Sequence, residues 1–174
     1  MNMGLKHIYT GEGKGKTTAA IGLTIRAIGR DKKVIFSQFM KGRSSGERCV
    51  LEELAGVQTY FLEHDFGFYF QMSQEDKEEL TRQHDEILHA ILEQIHQGAC
   101  DLLVMDEVVY AYKYKLMDLS LFEEIYLNAK GVEIVLTGRD PDEKLLEHAD
   151  YITEMNPVKH PMEQGIGARE GIEY

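Results

Sequence analysis

Residues 11 to 18 read Gly-Glu-Gly-Lys-Gly-Lys-Thr-Thr and follow the short apolar stretch His7-Ile8-Tyr9. Glycines at 11, 13 and 15 let the backbone turn its N–H groups toward one point without a Cβ in the way. Gly11, Glu12, Gly13, Lys14, Gly15, Lys16, Thr17 and Thr18 together have the composition of a cradle for an anion. Lys16 can place its charge on phosphate oxygens, and the Thr17 hydroxyl can reach a magnesium ion held by the same phosphates. The following residues, 18 to 30, are helix-compatible, so a helix N-terminus would direct partial positive charge at the same point. The complete phosphate-loop pattern, G-x-x-x-x-G-K-[ST], asks for Gly where this chain has Thr10. The alternative is an ordinary glycine-rich turn between strand and helix, which would not call for a Lys-Thr pair at its end.

A loop of this kind needs a parallel sheet behind it, and the chain supplies the pattern. Strand-like runs at Lys6–Tyr9, Lys33–Phe39, Gln58–Leu62, Asp101–Met105, Val132–Thr137 and Tyr151–Glu154 alternate with helix-like runs. The helical runs are Lys16–Arg30, Glu47–Ala55, Gln74–Gln97, Leu121–Ala129 and Asp142–His148. Such alternation predicts an α/β fold, a mostly parallel sheet covered by helices on both faces, of the phosphate-loop NTPase type. Ser73 and Ser120 suit helix starts, and Gly98 and Gly131 suit helix ends. At 174 residues and 43% hydrophobic, the chain can bury one core, so residues 1–174 are expected to form a single nucleotide-binding domain.

Charge and cysteine usage narrow the function. Nineteen basic against 30 acidic side chains give a net charge of −11, which argues against a nucleic-acid-coating surface. Lys14, Lys16, Lys41, Arg43 and Arg48 could still form a local basic site, or the last three could be solvated surface charges. Cys49 and Cys100 form no C-x-x-C pair, the histidines show no metal-binding spacing, and no apolar run approaches a membrane span of ~20 residues. The start of the chain has no apolar signal region. A soluble cytoplasmic protein with structural or surface histidines is the expectation.

In open parallel sheets, ligands bind beyond the carboxyl ends of the strands. The glycine loop belongs there, and so do Asp106-Glu107 after the fourth strand and Thr137-Gly138-Arg139 after the fifth. An acid after such a strand either reaches the magnesium ion of a phosphate-loop site or caps its own loop. Two other segments stand out. Phe66, Phe68, Tyr69 and Phe70 crowd around Gly67, as an aromatic lid over a large flat ligand or as a loop tucked into a satellite core. The stretch from 156 to 174 contains Pro157, Pro161, Gly165 and Gly167 and should lack regular structure. It carries few charges for a solvated tail and ends in Ile172 and Tyr174.

With these motifs assembled, the chain resembles the phosphate-loop type of ATP:cob(I)alamin (corrinoid) adenosyltransferase, the enzymes of cobalamin synthesis and corrinoid salvage. The resemblance runs over nearly the whole chain. It rests on Tyr9-Thr10-Gly11 through Thr18-Ala19-Ala20, where the family also tends to carry Thr at the first loop position. It includes Gln38-Phe39-Met40-Lys41-Gly42 with Gly46-Glu47-Arg48, Gly67-Phe68-Tyr69-Phe70, and Met105-Asp106-Glu107 with Tyr110. Leu136-Thr137-Gly138-Arg139, Pro157-Val158-Lys159-His160 and Gly171-Ile172-Glu173-Tyr174 complete it. The glycine loop alone would not select this family; the ordered set is specific.

The resemblance implies a reductive alkylation. Corrinoid cobalt, reduced to Co(I), attacks the 5′-carbon of ATP, and triphosphate leaves whole. It further implies that ATP lies reversed in the loop, its terminal phosphate deep and its ribose facing the corrinoid. Catalytic roles fall on Lys16, Glu107, Phe68 and Phe70. Nucleotide contacts fall on residues 11 to 18, Lys41 and Arg139, and magnesium on Thr17, Asp106 and Glu107. Phe68 and Phe70 would crowd the lower corrinoid face and displace its axial ligand, leaving four-coordinate Co(II), which is easier to reduce. The implied partners are ATP, magnesium, a corrinoid, a flavin-type electron donor and a second copy in a homodimer. The tail, 156–174, would pack near the active site. The chain departs from the family pattern in its short stretch before Thr10, its lack of Trp and its short Arg43-Ser44-Ser45 segment. Two other readings use the same residues: an NTPase or kinase of another pathway, and a nucleotide-bound corrinoid carrier without chemistry.

Overall fold

A computed structural model describes residues 3–42 and 45–173; Arg43, Ser44 and Tyr174, which the sequence motifs include, lie outside these described residues. Six strands form one sheet: β1 (Lys6–Thr10), β2 (Val34–Gln38), β3 (Val57–Tyr60), β4 (Leu102–Asp106), β5 (Glu133–Thr137) and β6 (Tyr151–Glu154). Their order across the sheet is β3-β2-β4-β5-β1-β6, and every pairing is parallel. The expected α/β architecture is therefore present, and with all strands parallel their carboxyl ends share one edge of the sheet.

β4 is buried along its whole length, which is why Leu102–Asp106 reads as an unbroken apolar run rather than an alternating one. Alternation instead decides which side of the sheet each residue faces. Val34, Phe36, Leu102, Val104 and Val135 pack with Ala20 of α1 (Lys16–Ile28) and Leu51 of α2 (Gly46–Leu51). Ile35, Leu103, Met105, Ile134 and Leu136 face the other way. They pack under α3 (Gln74–His96), α4 (Val108–Lys113), α5 (Leu119–Asn128) and α6 (Glu143–Glu147). Helices thus cover both faces.

Local chemistry explains most element ends. Ser73 starts α3 as expected. Its hydroxyl accepts from the Asp76 N–H at 3.0 Å while the Asp76 carboxylate accepts from the Ser73 N–H at 2.9 Å, a reciprocal capping box. Gly98 follows α3 in the left-handed region, at φ 66. Ser120 is not the start of α5. The cap is Asp118, whose carboxylate accepts from the Ser120 and Leu121 N–H groups, so the helix begins at Leu119. Gly131 lies beyond the end of α5 at Asn128 rather than at it. The short helix α4 does not emerge from sequence periodicity, because it spans only Val108–Lys113 and follows Asp106-Glu107 with no spacer. The tail after β6 is irregular as expected, apart from a 3₁₀ turn at Pro161–Gln164.

Candidate active site

The carboxyl edge of the sheet gathers the site. Gly11 follows β1 at φ 95, and Gly15, at φ 119, leads into α1. The loop is wrapped against the chain that leaves β6. The Gly13 N–H donates to the Met155 carbonyl at 2.6 Å, and Met155 N–H donates back to the Thr10 carbonyl at 2.8 Å. A Cβ at Gly11 or Gly13 would lie 2.5 or 2.6 Å from that same Met155 oxygen, so these positions need glycine for close approach.

Lys16 is buried within the curve of the loop. Its ammonium donates to the carbonyls of Gly11 at 2.6 Å and Gly13 at 2.8 Å. Burial, and then the nearby Arg139 guanidinium, pull its pKa below the ordinary lysine value. Thr17 joins the loop to β4: its hydroxyl donates to Asp106 Oδ1 at 2.9 Å. The Thr137 hydroxyl, at the end of β5, donates to the same oxygen at 2.7 Å and accepts from the Glu107 N–H at 2.9 Å. Gln38, at the end of β2, donates its amide N–H to Asp106 Oδ2 at 3.2 Å. Two strand ends and the first turn of α1 thus converge on one carboxylate.

Asp106 is fully buried, which pushes its pKa up against the pull of the Thr137 and Thr17 hydrogen bonds. Glu107 sits beside it in the left-handed region, at φ 58. That conformation turns the backbone from strand into α4 and is uncommon for a residue with a Cβ. Burial first, and the Asp106 charge second, raise the Glu107 carboxyl to about 7. Two neighbouring carboxyls whose burial disfavours their charged form fit a divalent cation among Thr17, Asp106 and Glu107, which would offset that charge. Among the described residues no cluster of three His, Cys, Asp or Glu side chains forms a metal cage, so such a cation would draw on ligands beyond the protein.

Next to this carboxylate pair opens a cleft of about 570 Å³ lined by Thr17, Lys41, Phe68, Phe70, Glu107 and Arg139, among others. Thr17, just past the glycine loop, and the aromatic segment therefore line one cavity. The aromatic segment divides its rings. Phe66 and Tyr69 are half-buried and pack against the main core. Phe68 and Phe70 are 62% and 78% exposed and stack on each other at 5.6 Å with planes 10° apart. A satellite core built on these two phenylalanines is not what forms.

The remaining expected residues take less central places. Lys41 lines the cleft and pairs with Glu47 at 2.7 Å, which holds the Glu47 carboxyl down at about 2 despite its burial. Arg139 lines the cleft and reaches Glu12 at 2.9 Å, so Glu12 meets a guanidinium at the rim. Lys14 and Thr18 are exposed, and Lys14 borders a second cleft formed with the tail. Glu173, near the chain end, lines both clefts.

Thr137 belongs to the binding edge by sequence, but its bond to Asp106, like the parts played by Gln38, Glu47 and Tyr114, emerges only from the fold. Gln38, like Thr137, is a polar residue closing an apolar strand at that edge. Tyr114 carries no such signal. It stacks on Tyr69 at 4.0 Å across 45 residues of chain, a contact only the fold creates.

Known proteins match this arrangement of motifs. The family model described as ATP:corrinoid adenosyltransferase BtuR/CobO/CobP matches residues 2–174. The corrinoid adenosyltransferase of Escherichia coli (strain K12) is 35% identical over 176 residues, covering 98% of this chain and 86% of that protein. Corrinoid adenosyltransferase CobA of Salmonella typhimurium is 35% identical over 178 residues, with 98% and 86% covered. The corrinoid adenosyltransferase of Pseudomonas aeruginosa is 30% identical over 173 residues, with 98% and 84% covered. No helix among the described residues is long and apolar enough to cross a membrane. By sequence over nearly its full length, the chain belongs to the ATP:corrinoid adenosyltransferase family.

Proposed function

We propose that this protein transfers the 5′-deoxyadenosyl group of ATP to the Co(I) of a corrinoid and releases triphosphate. The observation that carries this reading is the shared cleft: Thr17 and Glu107, beside the phosphate loop, line the same cavity as the exposed Phe68–Phe70 pair. A cradle for phosphate that opens onto exposed aromatic rings suits a nucleotide next to a large planar ligand.

In the reaction, the Co(I) electron pair forms the bond to C5′, and the C5′–O bond breaks with its electrons leaving on triphosphate. Cobalt ends as Co(III) bonded to carbon. The nucleophile carries no proton, so no general base is needed. What the protein must supply is stabilisation of the negative charge that grows on the departing oxygen. Lys16 and the loop N–H groups of residues 11 to 18 provide it, with the ammonium moving from the Gly11 and Gly13 carbonyls to phosphate oxygens. Thr17, Asp106 and Glu107 would hold magnesium, which neutralises phosphate charge when bound. Lys41 and Arg139 add positive charge at the mouth of the cleft.

Phe68 and Phe70 contact the lower corrinoid face and exclude an axial ligand, which favours reduction of Co(II). The electron comes from outside, from a flavin-type carrier meeting the open side of the cleft. Unpaired Cys49 and Cys100 accord with a reducing, cytoplasmic setting. The edge strand β6, with Tyr151 and Ile152 half exposed, is the more exposed of the two sheet edges and is where a second copy would pair in a homodimer. The tail from 156 onward, reaching the cleft at Glu173, closes the nucleotide side.

The experiment is a spectroscopic assay with ATP, magnesium and chemically reduced cobalamin. Conversion of the Co(I) spectrum to that of an alkylcobalamin is expected, and an unchanged spectrum with ATP present would overturn the proposal.

A further inference from the structure

Three consecutive side chains of α3, Gln83, His84 and Asp85, tie down neighbouring loops, with His84 and Asp85 both reaching the α4–α5 connection. The Glu63 N–H donates to Gln83 Oε1 at 3.2 Å, on the segment that leads into the aromatic residues. The Asp118 N–H donates to Asp85 Oδ1 at 2.6 Å, at the start of α5. His84 holds two loops at once. The Met40 N–H donates to its Nε2 at 3.3 Å, and its Nδ1 lies 2.7 Å from the Leu116 carbonyl.

The geometry fixes the state of the ring. Nε2 accepts, so Nδ1 carries the hydrogen and donates to Leu116. The imidazole must then be neutral. Complete burial favours the same form and pushes its pKa down to about 4. Its ring also packs against Phe39, with centroids 5.0 Å apart.

Residues next to both ties line the cleft: Met40 and Lys41 at one, Tyr110 and Tyr114 just ahead of Leu116 at the other, together with Phe68 and Phe70. Met40 is in the left-handed region, at φ 60, a conformation that needs outside support in a residue with a side chain. The neighbouring Gly42 is pressed against the aromatic segment: a Cβ there would lie 1.8 Å from the His64 carbonyl oxygen. The turn at 40–42 therefore passes the position set by His84 on to the chain entering Phe66–Phe70. The phosphate loop is held directly by Met155 and, through Thr17, by Asp106; the chain entering the 40–42 turn meets that residue through Gln38 and the Phe39 N–H, which donates to the Asp106 carbonyl at 2.8 Å, while His84 itself touches neither the loop nor Asp106.

We infer that His84 is a positioning residue for the corrinoid side of the cleft: it clamps the Met40–Gly42 turn to the α4–α5 connection and so sets the spacing of the aromatic walls, without touching the phosphate loop. Only the identity of the ligand in that cleft rests on the proposed adenosyl transfer.

Substitution separates the two ties. In His84→Gln the amide oxygen can reach the Nε2 position and accept from Met40. His84→Asn keeps a donor near Nδ1 for Leu116 and loses Met40. His84→Leu loses both. In His84→Leu the KM for corrinoid should rise roughly tenfold or more, because small misplacement of a wall is expensive. The nucleotide Kd should change several-fold less than the corrinoid KM, because within the turn only Lys41 faces the nucleotide and the direct anchors of the phosphate loop at Met155 and Thr17 stay in place. His84→Gln should recover most of the corrinoid KM, and His84→Asn should not. Amide hydrogen exchange of the same variants, without any ligand, should quicken at 40–42 and 66–70 in His84→Leu and His84→Asn and stay unchanged at 13–17. A parent protein that fails to alkylate corrinoid, together with this exchange pattern, would reject the proposed function and retain the clamp. Exchange that is unchanged, or that quickens equally in the phosphate loop, would overturn the clamp whatever the activity.

Discussion

The Thr17 hydroxyl donates to Asp106 Oδ1 at 2.9 Å, linking the first turn of α1 to the last residue of β4. This bond puts the end of the phosphate loop and the buried carboxylate in one unit. It is the place where nucleotide charge and protein charge must be balanced, and the first two predictions test that balance.

Lys16→Ala removes the buried cation that faces the developing charge. Loss of one such donor commonly costs about 2.7–4 kcal/mol of transition-state stabilisation, so turnover should fall by about 10²–10³. Steady-state kinetics with a thermal melt as control measures it, and near-parent turnover would remove Lys16 from the reaction. Thr17→Ala should raise the magnesium concentration needed for half-maximal rate; an unchanged magnesium titration would place Thr17 outside the metal site.

Glu107 makes a pH-dependent contribution to stability. Its carboxyl titrates near 7 in the folded protein against an ordinary value of 4.5. Between these values the folded state binds more protons than the unfolded state, so this group lowers stability as pH rises from 4.5 to 7. The full effect above pH 7 is on the order of 3 kcal/mol. In magnesium-free buffer, Glu107→Gln should therefore melt higher than the parent above pH 7, with the gain shrinking to nothing near pH 4.5. Saturating magnesium with ATP should reduce the difference by stabilising the parent. A melting difference that does not vary with pH would contradict a Glu107 carboxyl whose burial outweighs its neighbouring cations.

Phe68 and Phe70 are exposed in the folded protein, so replacing both with Ala should change the melting temperature far less than the 3–5 kcal/mol typical of a buried phenylalanine. Their effect should depend on the cobalt state. Starting from Co(II) cobalamin and a weak reductant, the double variant should be nearly inactive. Starting from chemically prepared Co(I), it should recover much of its rate. Cobinamide, without the bulky lower ligand, should be less affected than cobalamin. A uniform loss under all three conditions would assign the pair to ordinary binding rather than to ligand displacement.

Much of this architecture was legible in the sequence. Strand and helix alternation announced the parallel sheet, because β4 is buried on both faces and must be apolar throughout. The Gly-Lys-Thr loop and the Asp106-Glu107 pair were legible because a phosphate site demands those residue types beside a strand. What stayed hidden depends on contacts between distant segments. His84 looks like any helical histidine until Met40 and Leu116 are brought to it. Tyr114 gains meaning only from its stack on Tyr69. Ser120 looked like a cap, yet Asp118 outcompetes it, because a carboxylate accepts from both the Ser120 and Leu121 N–H groups. The aromatic segment could not be divided by composition, since the same ring types serve the core at Phe66 and the cleft at Phe68.

The central claim is that carbon, not phosphorus, is the centre attacked. The direct measurement is the phosphate product formed per corrinoid converted, read by phosphorus NMR on a reaction with ATP, magnesium and Co(I) cobalamin. The account predicts one triphosphate for each adenosylated corrinoid. ADP in place of triphosphate, with the corrinoid unalkylated, would contradict it: with equal orthophosphate the cradle would be that of a hydrolase, and with the phosphoryl group on an acceptor that of a kinase.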